Sequence, residues 1–178
     1  YYLLYLLTKL TNMRNSILFT FLILGIYNQS IGQLVTTIYD YPNQKIDDAL
    51  LLDNHGNLYG SHYMGENVFK VTPNGQVSVA IPGLNTPNGL ALDSKGNIFV
   101  CDNIGNRIYK VSNSGLFLDT LSIASPSGII KMQNSDTMLF TTYAGHTLTK
   151  LAPDGSTTVM HSGSPLNGPV GLVYDDNG

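Results

Sequence analysis

Residues 87–115, PNGLALDSKGNIFVCDNIGNRIYKVSNSG, decide the fold. Gly89 to Leu92 is apolar, Ser94-Lys95-Gly96-Asn97 is a turn, and Ile98 to Cys101 is again apolar and β-branched. A polar loop around Gly105 then leads to Arg107–Val111 and to a second turn at Asn113-Ser114-Gly115. The order is strand, turn, strand, loop, strand, turn. Outward from this stretch the same landmarks recur every 40 residues: Gly65, Gly105 and Gly145; Lys70, Lys110 and Lys150; Gly75, Gly115 and Gly155.

A period of this length built from short strands predicts an all-β chain folded as a β-propeller, one blade per repeat. The repeats run about 47–86, 87–125 and 126–168, with 169–178 (PVGLVYDDNG) restarting the pattern of 87–97. Three four-stranded blades and the start of a fourth are expected. The inner strands are apolar at nearly every position, as burial between two neighbouring blades demands. Gly89, Gly128 and Gly171 open those strands, where backbones crowd and a side chain costs space. The third repeat loses the inner-turn glycine, running Gln133-Asn134-Ser135-Asp136-Thr137. Leu34 to Tyr41 reads as one more strand, in phase with the outer strands at Val77–Ile81, Phe117–Ser122 and Thr157–His161.

Hydrophobic residues make up 43% of the 178 and charged ones 12%, a globular rather than a disordered composition. The net charge of −3 and the lack of a basic run exclude a nucleic-acid footprint. Cys101 is the single cysteine, so neither an internal disulfide nor a multi-cysteine metal site is possible. Residues 13–32 read as a signal peptide: Arg14 is its charged start, Ile17 to Ile26 its apolar run, and Ser30-Ile31-Gly32 its cleavage site. The apolar run is too short for a bilayer, so no membrane span is expected after cleavage. Residues 1–12 read as untranslated read-through, leaving 33–178 as an acidic, secreted, periplasmic or cell-surface partial propeller. Stopping in a hairpin turn would leave an unpaired edge, so the expectation is a piece of a longer protein.

Pro87 to Val111 resembles an NHL repeat: a Pro-x-Gly-apolar-Ala-apolar-Asp opening, Gly-Asn-Ile-Phe-Val, then Asp102, Asn106, Arg107 and Ile108. The resemblance implies an intact propeller of six blades. The same segment is similar to the senescence-marker and gluconolactonase family, metal-dependent lactonases on a six-bladed propeller. That resemblance implies a calcium or zinc site in which Asn88, of Pro87-Asn88-Gly89, is one ligand. Asp48 takes the corresponding place one repeat earlier, although Ala49 stands where that family has glycine. No match is found for the family's first-blade glutamate or its further asparagine; Glu66, the chain's one glutamate, falls in a loop.

Asp48, Asn88, Ser127 and Val170 occupy equivalent positions just before the inner strands and should surround one mouth of the channel. Asp48, Asn88 and Ser127 either offer oxygen ligands to a hard cation such as calcium or tie down their own loop backbones. Asp102 and Arg107 flank a loop, as a ligand clamp or as a bracing ion pair. Lys70, Lys110 and Lys150 form either a basic stripe or solvated strand-edge charges. The four histidines lie at different phases of the repeat, and Cys101, in phase with Ser61 and Thr141, reads as a packing residue. The function these features imply is an exported NHL-type binding module for a protein, peptide or carbohydrate. The alternative is a gluconolactonase-like hydrolase with Asp48 and Asn88 on a channel metal. A third class is the similar propeller lyases that open cyclic antibiotics.

Overall fold

The computed structural model describes residues 45–175. The signal peptide, residues 1–12 and the Leu34–Tyr41 strand lie outside the described residues. Within them are three four-stranded antiparallel sheets, each a simple meander in chain order. The first holds β1 (Leu50–Leu52), β2 (Leu58–Ser61), β3 (Val68–Val71) and β4 (Val77–Ile81). The second holds β5 (Pro87–Leu92), β6 (Ile98–Asp102), β7 (Arg107–Val111) and β8 (Phe117–Ser122). The third holds β9 (Pro126–Lys131), β10 (Met138–Thr142), β11 (Thr147–Leu151) and β12 (Thr157–Ser162). Inner strands lie beside one another, β1 against β5 and β5 against β9. These are propeller blades, with every strand where the period places it.

The unbroken apolar runs have the reason expected of them. Along β6, Ile98 and Val100 enter a core shared with Tyr59, Val68 and Ile81 of the first blade. The intervening Phe99 and Cys101 enter a second core with Ile129, Met138 and Phe140 of the third. Alternate side chains of a strand point to opposite faces, so a blade gripped on both sides must be apolar at every position. The outer strand β12 has no such second partner among the described residues and is exposed throughout.

Glycines mark where the backbones meet. A Cβ on Gly89 would strike the Ser127 carbonyl oxygen and come within 2.8 Å of the Ile129 nitrogen. One on Gly128 would strike the Val170 carbonyl and lie 3.1 Å from the Gly171 Cα. Residues 169–175 form no ladder among the described residues, yet Gly171 packs on Gly128 as Gly128 packs on Gly89. In the third repeat Asn134 takes the left-handed conformation (φ 58°) in the turn that lacks glycine.

Side chains then tie the turns. Asp93 accepts the backbone N–H groups of Lys95 (2.9 Å) and Asn97 (2.8 Å) and the Asn97 amide (2.8 Å). Asp53 repeats the pattern with His55 and Asn57. Lys110 joins Asp93 in an ion pair at 3.0 Å and sits 5.2 Å from the Phe99 ring centroid. Burial pushes the Asp93 carboxyl up, but the Asn97 hydrogen bonds and the Lys110 ammonium outweigh it, leaving its pKa below the ordinary 3.8. A depressed carboxylate contributes stability above its unfolded pKa and loses it as pH falls through the folded one. Asp93→Asn is therefore expected to flatten the part of the acid unfolding profile that lies below pH 3.8, as read by Tm against pH.

Two readings of the sequence need correction. Lys70, Lys110 and Lys150 do not guard sheet edges: they lie on β3, β7 and β11, each flanked on both sides by paired strands. Lys70 instead lies 5.6 Å from the centroid of the Tyr59 ring, its cross-strand partner. Asp102 and Arg107 form no ion pair. The Arg107 guanidinium donates to the Tyr109 hydroxyl (3.2 Å), and Asp102 turns to the Asn85 backbone amide.

Cys101 is fully buried, and burial, then the Asp102 charge, push its thiol pKa up. At the matching positions the Ser61 hydroxyl accepts the Ala49 N–H (2.8 Å) and the Thr141 hydroxyl the Gly128 N–H (2.9 Å). Cys101→Ser puts a hydroxyl in the same place relative to Gly89. Calorimetric melting should show a change within about 1 kcal/mol, the scale of one net hydrogen bond. A loss beyond about 3 kcal/mol would mean the sulfur volume matters more than the polar match.

Candidate functional site

Each blade sends one segment in from its predecessor and one loop out after its second strand, and these bond to one another. Asn85 donates its N–H to Asp102 Oδ1 (2.9 Å), while Asn103 donates its backbone N–H to the Thr86 carbonyl (3.0 Å). Tyr143 does the same to the Ser125 carbonyl (2.8 Å), and Tyr63 to Asp47 Oδ1 (2.8 Å). The preceding blade grips the same linkers: Thr86 N–H reaches the Gly65 carbonyl (3.1 Å), and Ser125 N–H reaches Asn106 Oδ1 (2.9 Å). Thr86 and Ser125 take positive φ (71° and 49°) between these grips, conformations that non-glycine residues hold only when their surroundings fix them.

The result is a cleft of about 440 Å³ lined by Asp48, Asn88, Ser127 and Val170, by Asp47, and by Tyr63, Asn103 and Tyr143. All four residues of the expected mouth are thus brought together. Asn88 and Ser127 are buried and joined, the amide donating to the hydroxyl at 3.1 Å. The Asp48 carboxyl is exposed and makes no hydrogen bond among the described residues. Partial burial of the carboxyl, then the Asp47 charge, raise its pKa above the ordinary 3.8.

Tyr63, Asn103 and Tyr143 were not singled out from the sequence. They are 40 residues apart and sit two places before Gly65, Gly105 and Gly145, so the period itself would have found them. The tyrosines are 46% and 53% exposed, and the Asn103 amide donates to the Pro126 carbonyl at 2.9 Å. At the opposite ends of the inner strands a wider opening of about 920 Å³ is lined by Leu51, Leu90, Ile130 and the polar turns.

The histidines do not converge. His146 Nδ1 accepts the Gly168 N–H (2.9 Å), and His161 Nε2 bonds the Ser164 carbonyl (3.0 Å), both on the linker after β12. No three His, Cys, Asp or Glu side chains gather as a metal group among the described residues. Calcium takes six to eight oxygens. At the cleft the Asn88 amide nitrogen donates to Ser127 and leaves its Oδ1 over, Asp47 gives one of its two oxygens to the Tyr63 N–H, and the Asp48 carboxylate makes no hydrogen bond among the described residues.

No protein-family model matches the sequence, and no curated protein matches it significantly. Solved structures do. A catalytically inactive variant of virginiamycin B lyase from Staphylococcus aureus, with quinupristin, aligns at TM-score 0.67 and 20% identity over 78% of this chain and 49% of that one. A protein named as a gluconolactonase aligns at 0.58 and 20% over 74% and 53%. The nidogen/laminin complex aligns at 0.62 and 21% over 71% and 51%. The chain spans about half the length of these neighbours, and likeness at this identity speaks for architecture: the chain has the β-propeller fold.

Proposed function

We propose that this chain is part of an exported propeller that binds a ligand, peptide, protein or carbohydrate, at the cleft of Asp48, Asn88, Ser127, Tyr63, Asn103 and Tyr143. One observation carries the reading: six loop positions, two per blade over three blades, converge on one concavity. The folding work there is done by main-chain groups, by Asp47 and Asn103, and by the Asn88–Ser127 pair, while the tyrosine rings stay exposed. Large exposed aromatics beside a few placed polar groups are what a binding surface presents. Nidogen/laminin, a protein–protein complex on a similar fold, supports the reading.

The test is a peptide and glycan array probed with the full-length protein and with its Tyr63→Ala/Tyr143→Ala variant. Binding weakened about tenfold or more in the variant, with Tm unchanged, is expected. Hydrolysis of a lactone that requires calcium or zinc, and that Asn88→Ala abolishes, would overturn the binding-module reading in favour of the lactonase. Export predicts a mature N-terminus at Gln33, which N-terminal sequencing of the secreted protein checks.

A further inference from the structure

The cleft is one-sided in charge. Among the described residues its charged lining side chains are Asp47 and Asp48, and no lysine, arginine or histidine lines it. Basic side chains Lys70, Lys95 and Lys131 line the opening at the other ends of the inner strands instead. The lining also carries two half-exposed tyrosine rings, Tyr63 and Tyr143. This chain holds one of its own ammonium groups, Lys110, between the same two components, a carboxylate and a ring, and sets another, Lys70, over a ring alone. Lys110 lies 3.0 Å from Asp93 and 5.2 Å from the Phe99 ring centroid, and Lys70 lies 5.6 Å from that of Tyr59.

We infer that the cleft receives a cationic group, the ammonium or guanidinium of a lysine- or arginine-bearing peptide, between the Asp47/Asp48 carboxylates and the Tyr63 and Tyr143 rings. This rests on the proposed role of the cleft as the ligand site and adds the chemistry of the ligand. A cation over an aromatic face is attracted by the ring quadrupole, more strongly once partly desolvated. It also relieves the repulsion of the adjacent aspartates, which contributes to the raised pKa of Asp48. Asp48, with no hydrogen bond among the described residues, has its carboxylate available. Asn88 and Ser127 at the floor are already paired and set the depth to which the cation reaches.

The experiment is isothermal titration of the full-length protein with tetralysine, tetraglutamate and maltotetraose at low ionic strength. Tetralysine is expected to bind and to weaken with added salt. Asp48→Asn, which breaks no hydrogen bond of the fold, should weaken it about fivefold. Tyr143→Ala should do so by a similar factor. No binding of tetralysine, or equal binding to wild type and Asp48→Asn, overturns the inference. If maltotetraose or tetraglutamate binds instead and Tyr63→Ala/Tyr143→Ala abolishes it, the cationic preference falls while the cleft keeps its role.

Discussion

Gly89→Ala is expected to destabilise the full-length protein by about 3 kcal/mol or more, at the upper end of what overpacking costs. The added methyl would meet backbone rather than the end of a flexible side chain: the Ser127 carbonyl oxygen, the Ile129 nitrogen at 2.8 Å and the Gly128 Cα at 3.0 Å. Those atoms belong to the next blade's inner strand, so relief requires β5 and β9 to separate. Gly75→Ala is the control. Gly75 has φ 82° and open space around its missing Cβ, so alanine there should cost about 1–2 kcal/mol of backbone strain alone. Urea midpoints measure both. If the two variants unfold at the same midpoint, the blades do not abut at Gly89.

Asp102→Ala should also be damaging, by about 1–3 kcal/mol, because it strips the acceptor from the Asn85 backbone amide. The carboxylate, 2% exposed, accepts the Asn85 N–H at 2.9 Å, while the Gly105 N–H donates to the Asn85 carbonyl at 3.1 Å, and together these fasten the linker between the first and second blades to the loop after β6. Burial raises its pKa, and the nearby backbone N–H groups of Asn85 and Gly105 and the Arg107 charge only partly offset that. A raised carboxyl binds its proton more tightly folded than unfolded. Its contribution to stability therefore declines as pH rises from 3.8 through the folded pKa, opposite in sign to that of Asp93. Asp102→Asn should remove that decline. Denaturant titrations at several pH values check both statements, and a loss below about 1 kcal/mol for Asp102→Ala would refute the anchoring role.

The repeat made most of the fold legible. The 40-residue spacing located the twelve strands of the described residues, because each blade solves the same packing problem with apolar inner strands and turns closed mostly by glycine. Grouping Asp48, Asn88 and Ser127 followed from the same arithmetic. What the sequence hid was direction and competition. Asp102 and Arg107 look like an ion pair in one dimension, but the Asn85 amide of the linker claims the carboxylate first. Lys70 and its counterparts look like edge charges when each third strand is read by itself, but β4, β8 and β12 pair outside them and leave these lysines in the sheet interior. The tyrosines escaped notice because they vary: Asn103 stands between Tyr63 and Tyr143, and a position that tolerates both chemistries shows no motif.

That variation has an outcome for how such a protein changes over time. The loop after each second strand is fastened through main-chain N–H groups at residues 63, 103 and 143, whatever side chain each carries. On the proposed reading of the cleft, a new residue at 63 or 143 alters what the surface recognises while these main-chain bonds stay, and at 103 only the bonds of the Asn103 amide to Ser125 and Pro126 are given up. Selectivity would then be open to change one blade at a time, by single codons.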